Sequence, residues 1–80
     1  MSELLRLPPD VEEKVMQMGE HSYGATLVTL TLRSGKRIDN VVMAGGMYLC
    51  WVEGREIEKE EDLDFALADV TDAMQQRGYV

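Results

Sequence analysis

The sequence predicts a small α+β domain in which an antiparallel four-stranded meander, or a small curled barrel, is flanked by an N-terminal and a C-terminal helix. Apolar residues alternate with a period of two through Thr26–Val52, which is typical of strands. Ser34-Gly35 and Gly45-Gly46 interrupt this alternation, as hairpin turns do. Segments with helical spacing lie on both sides. We therefore expect the order α-β-β-β-β-α in a single domain, with residues 1–6 as a flexible start.

The first element is predicted to be a helix from about Pro9 to Met18. Pro8-Pro9 suits a helix start, because the first turn leaves its N–H groups unbonded. Gly19 is expected to end the helix. Apolar residues recur at helical spacing on one face: Leu7, Val11, Val15 and Met18.

Two strands are predicted to follow, Ala25–Arg33 and then residues 38–43, joined by a tight turn. Gly35 is placed to adopt the positive φ that such a turn requires. Asn40 interrupts the apolar face of the second strand. This interruption indicates a bulge, a strand leaving the core, or a polar contact residue.

The third strand, Met47–Val52, is apolar on both faces. Regular alternation predicts Met47, Leu49 and Trp51 on one face and the other three residues on the opposite face. A two-layer domain covers only one face of its sheet, so the second face needs barrel curling, a helix or another subunit. The candidate interface residues are Tyr48, Trp51, Met43 and Met47. Glu53-Gly54 then predicts a turn into a short, charged edge strand, Arg55–Glu58.

The C-terminal segment is predicted to be a helix that begins near Leu63 or Asp64 and ends at Gly78. Its apolar residues follow a 3-4-3-4 spacing: Leu63, Ala66, Leu67, Val70, Ala73 and Met74. Acidic residues crowd the first turn, where the helix dipole favours them.

The charge pattern predicts a dipolar molecule. Fifteen acidic residues against eight basic ones give a formal net charge of −7, which disfavours polyanionic partners. Most of the acidity lies in residues 53–64, and this run could be a solvated face or a cation site. It lacks the sequence pattern of a calcium-binding loop, which favours the solvated face. The basic tip, defined as Arg33, Lys36 and Arg37, flanks the first hairpin turn.

The spacing Leu30-x-Leu32-x-x-Gly35-x-x-Ile38 resembles the first half of Sm-like and SH3-like small barrels. The resemblance covers residues 28–52 and implies a helix followed by a curled meander. The Asp and Asn of the Sm nucleotide pocket have no counterparts, because Gly45-Gly46-Met47 occupies that region. The resemblance therefore implies a fold and no binding residue.

No pattern of catalytic or metal-binding residues is apparent. His21 and Cys50 are single residues far apart in the chain, whereas zinc takes about four His, Cys or carboxylate ligands. We therefore expect no catalytic residue, cofactor or metal. The longest apolar run is far below the ~20 residues of a membrane span, and a lone cysteine suits a reducing compartment. We expect a soluble, cytoplasmic protein.

The sequence thus predicts a non-enzymatic interaction module that self-associates, with a homodimer favoured, or binds a protein partner. The contact would use strand 47–52 and a helix face, because a small chain has little else to cover a doubly apolar strand. The alternative is a small barrel that binds nucleic acid through the basic tip.

Overall fold

The computed structural model describes residues 5–18, 24–45 and 47–79, and these ranges contain one α-helix and one five-stranded antiparallel sheet. The elements are α1 (Pro9–Met16), β1 (Ala25–Leu32), β2 (Arg37–Ala44), β3 (Tyr48–Val52), β4 (Arg55–Glu56) and β5 (Val70–Gln75). The strand order is β4-β3-β2-β1-β5. Two 3-10 turns, Glu60–Asp62 and Leu67–Asp69, connect β4 to β5. The α+β class and the antiparallel sheet are confirmed, whereas the predicted order α-β-β-β-β-α is wrong, because the described ranges contain five strands and one helix.

The N-terminal helix forms as its spacing predicts, although it ends two residues earlier. Pro9 occupies the first turn, and the Glu12 N–H donates to the Pro8 carbonyl at 2.8 Å. Val11 and Val15 are buried against the sheet. Its apolar face is therefore used for the core.

Two turns of the meander have the positive φ values that their sequences predict. Gly35 has a φ of 94° in the β1–β2 turn. Glu53 and Gly54 both have positive φ values, 52° and 83°, as a two-residue type I′ turn requires. Gly46 lies outside the described residues.

Within the described ranges, three β-bulges interrupt the sheet. Asn40 is the extra residue on β2, because Val28 pairs with Val41 while Leu30 pairs with Ile38. Its φ of 58° fits a residue type that tolerates the left-handed region. Cys50 is the extra residue on β3, and Thr71 is the extra residue on β5. Of the three interpretations of Asn40, the bulge is thus the one observed.

The predicted C-terminal helix is wrong. Residues 63–69 form turns, and Val70–Gln75 is the strand β5, which pairs with β1. The bulge at Thr71 explains the misleading pattern, because it places Val70 and Ala73, three residues apart, on the same buried face. A three-residue spacing imitates one side of a helix.

The sheet curls around one core. Ile57, next to β4, and Val70, on β5, belong to the same buried cluster although β4 and β5 are the opposite edges of the sheet. Within the described ranges these two edges do not pair with each other, so hydrogen bonding does not close a barrel. The remaining core side chains come mainly from the inner faces of β1, β2 and β3.

The N-terminal segment packs against the edge of β3 that β4 leaves uncovered. The Leu49 N–H donates to the Leu5 carbonyl at 2.8 Å, and Arg6 forms a bridge with Tyr48. Leu5 and Leu7 are buried in the core. The prediction of a flexible start is therefore wrong for residues 5 and 6, which are integrated in the fold.

Candidate interaction surface

The bulge at Cys50 brings the two large aromatic residues of β3 onto the same outer face. Tyr48 pairs with Ala44 and Trp51 pairs with Val42, while Leu49 between them points into the core. Regular alternation had placed Tyr48 and Trp51 on opposite faces. The extra residue reverses the alternation of side chains between the two faces, so that side chains three positions apart lie on the same face.

Trp51 is the exposed centre of this surface. Its side chain is 43% exposed, although tryptophan is on average a highly buried residue. Val42 beside it on β2 is half-buried. On the other side, Glu56 of β4 is directly opposite Trp51 and exposed. Paired residues point to the same face of a sheet, so Glu56 flanks the indole.

An ion pair supports the other end of the aromatic surface. Arg6 Nε donates to Glu12 Oε2 at 2.8 Å, and a second guanidinium nitrogen donates to Glu12 Oε1. The Arg6 guanidinium lies 5.9 Å from the centre of the Tyr48 ring. Hydrogen bonding from Arg6 lowers the pKa of the Glu12 carboxyl, and the same bond raises the pKa of Arg6. The charge of Arg6 is thus engaged within the chain.

We define the acidic aromatic patch as Tyr48, Trp51, Glu53 and Glu56. Glu53 is in the β3–β4 turn and is exposed like Glu56. Among the described residues, neither carboxylate takes part in an ion pair. The patch therefore combines apolar surface with uncompensated negative charge.

The basic tip lies at the start of β2, and its three residues have different environments. The Arg33 N–H donates to the Asp69 carbonyl at 2.8 Å, and its side chain is 3.7 Å from the Asp69 carboxylate. Lys36 and Arg37 are exposed and form no ion pair within the described ranges. Arg33 fixes the turn, whereas Lys36 and Arg37 present their charges to solvent.

The other candidate interface residues are less accessible. Met43 is fully buried on the inner face of β2, so it contributes to the core and not to the surface. Met47 is half-buried just before β3. On α1, the side that carries Val11 and Val15 is buried, and Met16 is the large apolar residue that remains exposed.

Sequence reasoning missed a polar network at the β2 bulge. Gln76 connects Thr29 and Asn40, and the Thr29 hydroxyl also lies 3.0 Å from the Asp39 carboxylate. The polar residue inside an otherwise apolar strand face was the signal for this network. Its partner Gln76 could not be identified, because the register of β5 follows from the tertiary fold.

The described residues contain no cluster of three or more His, Cys, Asp or Glu side chains that could hold a metal ion. The Cys50 thiol is half-buried and lies 3.6 Å from the Tyr48 carbonyl. An open cleft of about 360 Å³ is lined by Arg6, Leu7, Pro8, Leu67 and Ala68, which supply no nucleophile. His21 lies outside the described residues.

Comparison with known proteins found no matching family model, no matching curated protein and no matching solved structure. None of the described helices has the length and apolar character needed to cross a membrane.

Proposed function

We propose that this chain is a non-enzymatic protein-interaction module and that it binds through the outer face of β3. The observation that carries the proposal is the exposure of Trp51 beside Tyr48 on one face. Trp and Tyr are enriched among the residues that dominate binding energy at protein interfaces.

The local structure supports this role, because the aromatic face is held rigidly. Tyr48 lies between the β2 pairing and the bridge to Arg6, and the Arg6–Glu12 ion pair holds that bridge to α1. A preformed surface loses little conformational entropy when a partner binds, so more of the contact energy becomes affinity.

Nucleic-acid binding through the basic tip has weaker support. Arg33 is already paired with Asp69, so within the described residues two charges of the tip form no ion pair, in a chain of net charge −7. A titration with single-stranded and double-stranded oligonucleotides in low salt tests it. Phosphate contacts would give binding that weakens steeply with salt.

The main proposal is tested by comparing Trp51→Ala with Met74→Ala. Met74 is a matched control, because it is 47% exposed, lies on the same face of the sheet and is three strands away, about 14 Å. The immobilised wild-type chain and both variants are incubated with cell extract to which free copies of the chain have been added. Bound proteins, including those copies, are quantified.

We expect Trp51→Ala to lose the proteins that the wild type retains, and Met74→Ala to keep them. Equal binding by all three chains would refute the proposal. Circular dichroism and urea unfolding establish that both variants fold.

A further inference from the structure

We propose that the partner is a second copy of this chain, and that the basic tip of one copy binds the acidic aromatic patch of the other. This inference rests on the proposed function and names the occupant of the same surface. In this interface two different regions of the chain meet, the basic tip of one copy and the acidic aromatic patch of the other.

Two charges of the tip, Lys36 and Arg37, form no ion pair within the described residues. Arg33 anchors the turn through Asp69, and its guanidinium also donates to the Ala68 carbonyl at 3.4 Å. Lys36 and Arg37 extend from this anchored turn into solvent. Because the turn is held at its base, the backbone that carries the two cations has a defined position.

The patch has the complementary chemistry. An exposed indole attracts a cation to its face, and Glu56 beside it supplies a carboxylate for a charge-assisted hydrogen bond. Arginine is especially suited to such a site, because its planar guanidinium stacks on aromatic rings and pairs with carboxylates. Glu53 adds a second negative charge nearby.

In the described part of the chain, no ion pair joins the basic tip to Glu53 or Glu56. Arg37 pairs with Thr31, and Val42, the partner of Trp51, pairs with Leu27, so the backbones of Arg37 and Val42 are four residues of β1 apart, about 13 Å. A cation must lie within about 6 Å of the ring centre to interact with it. The cation-ring contact in the described part of the chain joins Arg6 to Tyr48, so Lys36 and Arg37 are available to another copy.

The contact should be weak and sensitive to salt. Each side contributes a few residues, compared with roughly 20–30 in an interface of standard size. The net charge of −7 opposes association at long range, but salt screens this repulsion beyond about 8 Å at physiological ionic strength. The oppositely charged tip and patch attract at shorter distances.

The test uses two charge-reversed variants of the whole chain. The tip variant is Lys36→Glu with Arg37→Glu, and the patch variant is Glu53→Lys with Glu56→Lys. Molar mass is measured by light scattering and sedimentation over a dilution series, in low and high salt. Circular dichroism and urea unfolding establish that each variant folds.

We expect the wild type to associate in a concentration-dependent manner that high salt weakens. Each variant alone should associate about tenfold or more weakly, because like charges then face each other. An equimolar mixture of the two variants should associate again, since the acidic tip of one meets the basic patch of the other. The chain that carries all four substitutions should also associate.

Three results would overturn the inference. The wild type could stay monomeric at every concentration, or each variant could associate as strongly as the wild type. The third result is an equimolar mixture of the two variants that does not associate more strongly than either variant alone. One outcome distinguishes this inference from the proposed function. If Trp51 is required to bind a different protein while the chain stays monomeric, the inference fails and the proposed function stands.

Discussion

Replacing Gln76 with alanine should destabilise the domain, because Gln76 completes the polar network at the β2 bulge. Its Oε1 accepts hydrogen bonds from the Thr29 hydroxyl and the Asn40 N–H, both at 2.9 Å. Its Nε2 donates to Asn40 Oδ1 and to the Gly78 carbonyl, both at 2.8 Å. These bonds exist only if residues 70–75 lie beside β1, so the substitution tests the corrected C-terminal strand.

The loss of stability depends on whether each hydrogen-bond partner of Gln76 can bond to another group after the substitution. The Thr29 hydroxyl can still donate to Asp39, and the exposed Gly78 carbonyl can bond to water. The two bonds to half-buried Asn40 are the main loss, at roughly 1 kcal/mol each. The free energy of unfolding should therefore fall by about 2 kcal/mol. In a domain of this size the melting temperature should fall by about 8–16 °C.

Urea unfolding, followed by Trp51 fluorescence and circular dichroism, measures this change. Gln17→Ala is the matched control, because Gln17 is exposed and its side chain makes no hydrogen bond in the described part of the chain. Asn40→Gly, which keeps the positive φ, completes a double-mutant cycle with Gln76→Ala. We expect a coupling of about 1 kcal/mol. A Gln76→Ala midpoint equal to that of Gln17→Ala, with no coupling to Asn40, would refute the network.

Three further predictions concern stability. Glu12→Gln should lower the free energy of unfolding at pH 7. Because Arg6 lowers the pKa of Glu12 in the folded state, the wild type should lose this stability as the pH falls below about 4.5, and urea unfolding at pH 7 and pH 3 compares the two chains. Asn40→Val should cost about 1–3 kcal/mol, since a β-branched residue is strained at positive φ, and Asn40→Gly should not show this strain in the same assay. Leu5→Ala should cost about 2–5 kcal/mol in thermal unfolding if Leu5 fills the core, whereas an unchanged melting temperature would place residue 5 outside the fold.

The elements that could be predicted from the sequence are those in which local pattern and tertiary structure agree. In β1, Val28, Leu30 and Leu32 are buried on one face as the alternation predicts, although Leu27 and Thr29 on the other face are buried as well. In the β3–β4 turn, Glu53-Gly54 suits the positive φ values. No long-range information was needed at these positions.

The C-terminal strand could not be predicted, because its bulge is stabilised by a neighbour that is distant in the sequence. Thr71 is accommodated between Val70, opposite Leu32, and Asp72, opposite Thr31. The Thr71 hydroxyl donates to the Thr31 carbonyl at 3.3 Å. The spacing of apolar residues in this segment does not reveal its pairing with β1, and the same spacing is typical of a helix.

The candidate surface was predicted in its residue types but not in its geometry. Tyr48 and Trp51 were recognised as large and close in sequence, yet alternation separated them onto two faces. The bulge at Cys50 unites them, and it depends on the register between β2 and β3. A phase change of one residue therefore decides whether the chain has one aromatic surface or two isolated aromatic residues.

Deleting Cys50 directly tests whether this residue is the extra one that places Tyr48 and Trp51 on the same face. Leu49 pairs with Met43 and Trp51 pairs with Val42, so removal of the extra residue joins two pairs that are already adjacent on β2. The fold and the outward position of Trp51 should be retained. The cost should be roughly 1–2 kcal/mol, mainly from the hydrogen bond between the Ile57 N–H and the Cys50 carbonyl.

Deletion of Thr31, which pairs with Arg37 on β2 and with Asp72 on β5, is the control for the Cys50 deletion. It would move Leu32 out of the core and disturb the pairing with both neighbouring strands, so this variant should unfold or lose most of its stability. Circular dichroism and the accessibility of Trp51 to a fluorescence quencher distinguish the two deletions. If the Cys50 deletion were as damaging as the Thr31 deletion, or if it buried Trp51, residue 50 would not be the extra residue, and the shared face of Tyr48 and Trp51 would lose its structural basis.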